Sequence, residues 1–245
     1  MTHRFGKLSP KLDYRTLRFK KYVLSSLPAP PPSADTLARI YSNLGINDPT
    51  ALFPLDGNGT YSDCTIAAMA HAITLNQGLL SKRNIMTEQD VLKVYFALSG
   101  GNDSGLYELD VLNYWQSNSA GGEQILAFAS IDPKNHLHVQ QAIQIFGSVY
   151  LGFQVQQACE QDFDSRTPWT PGPLTMSGHA VIATSYDAAG VTVLTWGNTQ
   201  RGTWSWWDEC VDEAYAILPV EAQDPAFCPG LDLVQLQADL KAVSN

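Results

Sequence analysis

The chain has 245 residues, 15 Lys+Arg against 24 Asp+Glu, a formal net charge of −9 and 44% hydrophobic side chains. That apolar content supports a packed core, while no apolar run reaches the ~18–20 residues of a membrane span. The acidic balance argues against a general nucleic-acid binder, and four cysteines are too few for a small disulfide scaffold. The charge is uneven. Residues 1–21 hold Arg4, Lys7, Lys11, Arg15, Arg18, Lys20 and Lys21 against Asp13 alone, a net +6 that leaves −15 to the rest. Such an arm either folds back onto the acidic body or offers itself to an anionic partner. Charges interrupt it throughout, so it lacks the apolar stretch of a secretory signal, and a cytoplasmic or non-classically released protein is expected.

In chain order, Pro28–Pro32 reads as a stiff spacer between the arm and the body of the chain. Ser33-Ala34-Asp35 starts a helix, with Leu37, Ile40, Tyr41 and Leu44 at helical spacing and Gly45 as its stop. Asp48–Thr60 is a loop. Cys64–Leu75 is small and apolar almost all round, the mark of a buried helix, and Ser62-Asp63 offers N-cap oxygens. A helix comes after Met86-Thr87, with Val91, Leu92, Val94 and Tyr95 on its apolar face. A glycine loop, Ser99–Gly105, leads to a helix from Leu106 to about Gln116. After residue 120 the period changes to two. Strands are predicted at Gln124–Ser130, Ser148–Val155, Ala180–Thr184, Val191–Trp196 and Tyr215–Leu218, with a short helix at Val139–Phe146 and a terminal helix at Leu231–Val243. Helices first and strands second give an α+β plan in two lobes. The domain reading is an arm and spacer at 1–32, a body at 33–218 divided near 120, and a tail at 219–245.

A thiol at a helix N-terminus is a poised nucleophile, because the dipole and free N–H groups favour thiolate, and it needs an imidazole to carry the proton. His71 lies seven residues after Cys64 on the same helix, about 10 Å along the axis, too far to pair. It reads as a core histidine. His136 and His138 sit in a polar loop and His3 in the arm. His179, after Gly178 at the start of a strand, can meet Cys64 across a cleft. Cys159, Cys210 and Cys228 show no metal spacing and read as structural thiols, with a Cys210–Cys228 bridge open. No metal or cofactor is expected.

These residues resemble a papain-like cysteine peptidase domain, over roughly residues 50–218. Cys64 opens the central helix. Asn58 stands six residues before it, where that family places an oxyanion-hole Gln. The loop containing Ser104-Gly105 resembles the substrate-binding glycine loop, and Gly178-His179-Ala180-Val181 the general-base strand. Thr195-Trp196-Gly197 with Thr203-Trp204 is similar to the Asn-Ser-Trp-Gly…Trp-Gly stretch, and Ala214–Ile217 to the last strand. Asp63-Cys64-Thr65 is closer to divergent bacterial and phage members than to secreted proteases.

The resemblance implies a two-lobed fold, with a helical N-terminal lobe and an antiparallel β C-terminal lobe. It implies Cys64 as nucleophile, His179 as base, Asn58 as oxyanion donor, and Ser104, Gly105, Gly178 and Trp196 along a cleft that takes a peptide or protein. The chain departs from the pattern at three places. Asp63 next to a thiolate raises its pKa. Asn58 is one methylene shorter than Gln. Leu194 falls where the family's orienting Asn should be, leaving Thr195, on the opposite strand face unless a bulge turns it, Asn198, or a bare Cys–His dyad. Two functions are compatible with this pattern. One is a thiol hydrolase of peptide or isopeptide bonds. The other is an inactive papain-fold binding or structural protein, such as a virion or effector component. Family members often carry an inhibitory N-terminal segment. This arm is short for that, and the expectation is that it packs on the body rather than filling the cleft.

Overall fold

The computed structural model describes residues 3–46, 52–223 and 230–243, so Cys228 and part of the 48–60 loop lie outside the described residues. Helix α1 (Thr36–Leu44) begins where the Asp35 carboxylate accepts the Ala38 N–H and ends at Gly45 in the left-handed region, φ 63°. Helix α2 (Cys64–Leu79) is buried at every residue from Cys64 to Leu75, as an all-apolar helix must be. The expected N-cap is not made, because the Asp63 side chain forms no capping hydrogen bond. Thr87 caps α3 (Glu88–Leu98) by accepting the Asp90 N–H, and α4 (Glu108–Ser117) buries Leu109, Leu112 and Trp115.

Strands β1 (Leu17–Arg18), β2 (Ala34–Asp35), β3 (Ile125–Ser130), β4 (Val149–Gln156), β5 (Leu174–Tyr186), β6 (Gly190–Thr195), β7 (Asn198–Thr203) and β8 (Val211–Pro219) form one sheet. Its order is β1-β3-β8-β4-β5-β6-β7, with β2 against β5. The β1–β3 pair is parallel and every other pairing antiparallel.

The period of two divides the sheet's side chains between two cores. Val149, Leu151, Phe153 and Val155 of β4, with Val181 and Ala183 of β5, face one core. Helices α5 (His136–Phe146), α6 (Cys159–Ser165) and α7 (Trp204–Cys210) fill it, and Leu236 of α8 (Leu233–Val243) packs there too. Tyr150, Ala180, Ile182, Leu194 and Ile217 face the other core, made with α1–α4. The chain is therefore α+β, but the helices-then-strands order expected of it is incomplete. Helices α6 and α7 and strand β7 carry no clear sequence signal, and α5 begins at His136 rather than Val139 because Asn135 accepts the His138 N–H. His136 and His138 consequently stand on a helix, not in a loop.

The turn from β6 to β7 is made by Trp196 and Gly197 alone, both at positive φ (47° and 72°), between the paired residues Thr195 and Asn198. Such a primed two-residue turn matches the twist of the strands, and Gly197 suits it. Trp196 does not, since positive φ is unfavourable for a bulky side chain. Packing holds it there.

Candidate active site

Cys64 is the first residue of α2 and its side chain is sealed, 1% exposed. The loop before the helix is tied down by Asp103 of the glycine loop, whose Oδ1 accepts the Ser62 N–H at 2.8 Å and the Tyr95 hydroxyl at 2.7 Å. Tyr95 in turn accepts the Gly105 N–H at 3.1 Å. One bonded chain thus sets the glycine loop beside the helix entrance. Cys64, Asn58, Ala180, Thr195 and Trp196 all line a small cavity of about 10 Å³, no larger than a single water needs.

His179 stands on β5 next to Ala180 and adjoins this cavity through Thr195. Its Nε2 lies 2.7 Å from Thr195 Oγ1, and its ring stacks on Trp196 with centroids 4.6 Å apart. Its Nδ1 is buried and has no hydrogen-bond partner among the described residues. Thr195 lies on the strand face opposite Leu194, and it is this face, not that of Leu194, that His179 uses. Thr195 shares the face of Val193, which is the core face that Val181 and His179 share, while Leu194 pairs with Ile182 and points to the other core. A bulge between Ala183 and Ser185 marks this pairing. Asn198 instead bonds locally, its Oδ1 accepting the Thr199 N–H at 2.8 Å. His71 Nε2 donates to Pro54 O, 2.9 Å away, and lies 3.4 Å from Asp56 Oδ2.

The largest correction concerns the arm. Residues 3–8 do not pack at a distance from Cys64; they lie across it. Arg4 N–H donates to Asn58 O (3.1 Å), and the Asn58 amide donates back to Arg4 O (3.2 Å). The Gly6 N–H is directed at the Cys64 sulfur, as is that of Ala180. Gly6 O accepts from Leu106 N (2.9 Å), Lys7 N donates to Gly178 O (3.1 Å), and Leu8 N donates to Leu106 O (3.0 Å). The approach demands glycine. A Cβ on Gly6 would stand 1.9 Å from Ser62 O, and one on Gly105, already at φ 73°, would stand 2.2 Å from Gly6 O. Phe5 meets the His179 ring edge-on at 5.6 Å, and His3 stacks on the outer side of Trp196 at 4.3 Å. Of the other residues expected along the cleft, Gly178 and Gly105 touch this segment and Ser104 is exposed.

Nothing in the sequence singles out Lys7 as a site residue. Its ammonium is buried and lies 2.9 Å from Asp212 Oδ1 and 3.0 Å from Glu213 Oε1, and it donates to Leu8 O at 3.2 Å. Burial works to lower its pKa, but Glu213, Glu108 and Asp212 outweigh burial and hold it above its ordinary value. Three of the arm's other basic residues are also engaged with acids: Lys11 with Asp110 at 2.7 Å, Lys21 with Asp239 at 2.7 Å, and Arg15 with Asp13 inside the arm.

With the segment in place the site is electrostatically quiet. Burial pushes the Cys64 thiol up to about 12, despite help from the Ala180 and Gly6 amides, with neighbouring Asp63 adding to the rise. Burial, then the charge of His3, pulls the His179 imidazole down to about 3. Asp63 itself is raised to about 7 by burial and by Asp56. Cys64 is thus a thiol and His179 a neutral imidazole, not an ion pair.

No protein-family model matches the chain, and no curated protein sequence does. Solved structures do. Xylellain, a cysteine protease from Xylella fastidiosa, superposes with a TM-score of 0.68 at 14% identity, over 89% of this chain and 97% of its own. The Carica candamarcensis cysteine protease CMS1MS2 gives 0.54 at 14% identity, over 77% and 99%. The cysteine protease and lectin-like domains of Cwp84 from Clostridium difficile give 0.59 at 12% identity, over 87% of this chain and 55% of that one. At such identities the likeness establishes fold, and the fold is that of the papain-like cysteine proteases.

Proposed function

We propose that this papain-fold chain is a thiol hydrolase of peptide or isopeptide bonds whose site is covered by its own residues 3–8. The observation that carries the reading is that a helix-start cysteine and Thr195 line one small cavity, while Thr195 holds Nε2 of His179 and leaves its Nδ1 free among the described residues. When the segment lifts, water reaches both groups and the desolvation that pushes their pKa values apart is relieved. His179 Nδ1 then takes the Cys64 proton, and the thiolate attacks the carbonyl carbon of the substrate. The negative oxygen that forms is stabilised by the Asn58 amide, which now meets a peptide carbonyl at Arg4. His179 gives its proton to the departing amine. Water, deprotonated by His179, then hydrolyses the thioester. Thr195 Oγ1 keeps the imidazole oriented, a role one hydroxyl can fill by accepting the hydrogen bond of Nε2–H.

A second reading, a binding protein with the fold but not the activity, draws on the covered sulfur and its thiol form. One experiment separates the two. A protease site inserted between the exposed residues Ser9 and Leu12 is cut after folding, and residues 3–8 are removed. Cys64 should then react with iodoacetamide at neutral pH about tenfold faster than in the uncut chain, and His179→Ala should abolish that gain. Peptide hydrolysis should appear on cutting and vanish in Cys64→Ala. Equal labelling in cut wild type and cut His179→Ala, with no hydrolysis, would leave the binding reading in place.

A further inference from the structure

Lys7 enters a pocket of unusual composition. Its ion-pair partners Asp212 and Glu213 come from β8, and a third carboxylate, Glu108, comes from the start of α4. Glu108 is 1% exposed and neither of its oxygens has a hydrogen-bond partner among the described residues. A buried carboxylate with no donor is costly unless a cation is close by. Tyr215 donates to the far oxygen of Glu213 at 2.8 Å, fixing that group from behind. The space for the lysine stem exists because residue 152 is glycine. A Cβ there would stand 1.9 Å from Lys7 Cε and 2.6 Å from Glu108 Oε1. Three carboxylates, one of them with its oxygens unused, and one excised side chain make a container for a cation on a slender stem.

The backbone around Lys7 has the character of a docked strand. Its N–H donates to Gly178 O, and the residues flanking it bond both ways to Leu106. Lys7 is therefore held as an incoming peptide residue would be held, by main-chain bonds to two fixed segments and by its side chain in a pocket.

We infer that the pocket of Glu108, Asp212 and Glu213 is a specificity site for a lysine or arginine side chain of a peptide, and that Lys7 occupies it as the chain's own ligand. The inference rests on the proposed hydrolase reading for what becomes of a bound peptide, but not for the binding itself. Residues 3–8 and a basic peptide then compete for one place, so release of the segment is coupled to the presence of a suitable ligand.

The test separates binding from catalysis. The full chain carrying Cys64→Ser and the protease site is folded, cut and freed of residues 3–8 in high salt, which weakens the ion pairs. The probe is a fluorescent hexapeptide of the native segment, His-Arg-Phe-Gly-Lys-Leu, tracked by anisotropy. The same peptide with Met at the lysine should bind about 30-fold more weakly or worse, and with Arg within a few-fold of Lys. Glu213→Gln in the protein should shrink the Lys-over-Met ratio, while circular dichroism reports that the variant is folded. Equal binding of the Lys and Met peptides overturns the inference, and so does a ratio unmoved by Glu213→Gln. Selective binding without hydrolysis in the Cys64 chain upholds the pocket and counts against the hydrolase.

Discussion

Residues 17–22 and residues 3–8 belong to one basic arm, yet they are joined to the body in different ways. Leu17, Phe19 and Tyr22 are part of the larger core, β1 pairs in parallel with β3, and the Tyr22 hydroxyl bonds Asp239 of α8 at 2.7 Å. Residues 3–8 contribute one partly buried apolar ring, Phe5, and otherwise hold on through main-chain bonds, ring stacking and the Lys7 ion pairs. Apolar burial is not exchangeable for water at low cost, whereas each polar contact of the outer stretch has a solvent alternative. The inner stretch is part of the fold, and the outer stretch is a ligand the fold has captured. Between them Ser9–Leu12 are exposed, which is where a cut separates the two.

The largest effect that sharpens this contrast is Phe19→Ala. It removes a ring that is 1% exposed and packs edge-on to Phe146 and His138, and should cost ~3–5 kcal/mol in urea unfolding. Below the unfolding transition Cys64 should be labelled no faster than in wild type. Faster labelling under folding conditions would show that the two stretches move together.

Gly6→Ala should do the reverse. The new methyl group has no room against the Ser62 backbone, so residues 3–8 must lift. Global stability should fall by only about 1 kcal/mol, since local opening spares the core. Iodoacetamide labelling of Cys64 should rise by about tenfold as the sulfur regains water. A large loss of stability with unchanged labelling would place Gly6 among the fold's supports.

How far the sequence reveals these features depends on how local their causes are. Helices α1 and α3 announce themselves through Asp35 and Thr87 and their apolar spacing, and α2 through an unbroken small-residue run. Helix α6 has only Cys159 and Phe163 buried in seven residues, too few to show a period. Strand β7, Asn-Thr-Gln-Arg-Gly-Thr, has no apolar alternation and exists because the Trp196-Gly197 turn lays it against β6. At the site, Cys64 and His179 are legible because a helix start and a Gly-His strand are short patterns. Thr195 stays open on sequence grounds because the bulge that orients β6 is a property of pairing, not of composition. The Lys7 pocket is invisible for a stronger reason. Its carboxylates come from residues 108, 212 and 213, its space from residue 152, and nothing near Lys7 in sequence implies any of them. Only the excess of basic charge in the arm over an acidic body points that way, without naming a partner.

The smallest effect concerns a side-chain polar anchor of the inner stretch. Asp239 bonds Lys21 and the Tyr22 hydroxyl, and these bonds hold its carboxyl below the ordinary carboxylate value. A depressed folded-state pKa means that the folded chain favours the ionised form. The resulting stabilisation is fully present above the unfolded carboxylate value and is lost as pH falls through the folded one. The site is open to solvent, so the contribution is small. Asp239→Asn should therefore lower the urea midpoint slightly at neutral pH, and the two curves should converge as pH drops below the ordinary carboxylate range. Labelling of Cys64 should not respond, because Asp239 sits at the anchored end of the arm and not at the captured one. A labelling change that tracked this titration would mean that the docking of α8 is felt at Cys64, and the division of the arm into a structural stretch and a ligand stretch would fail.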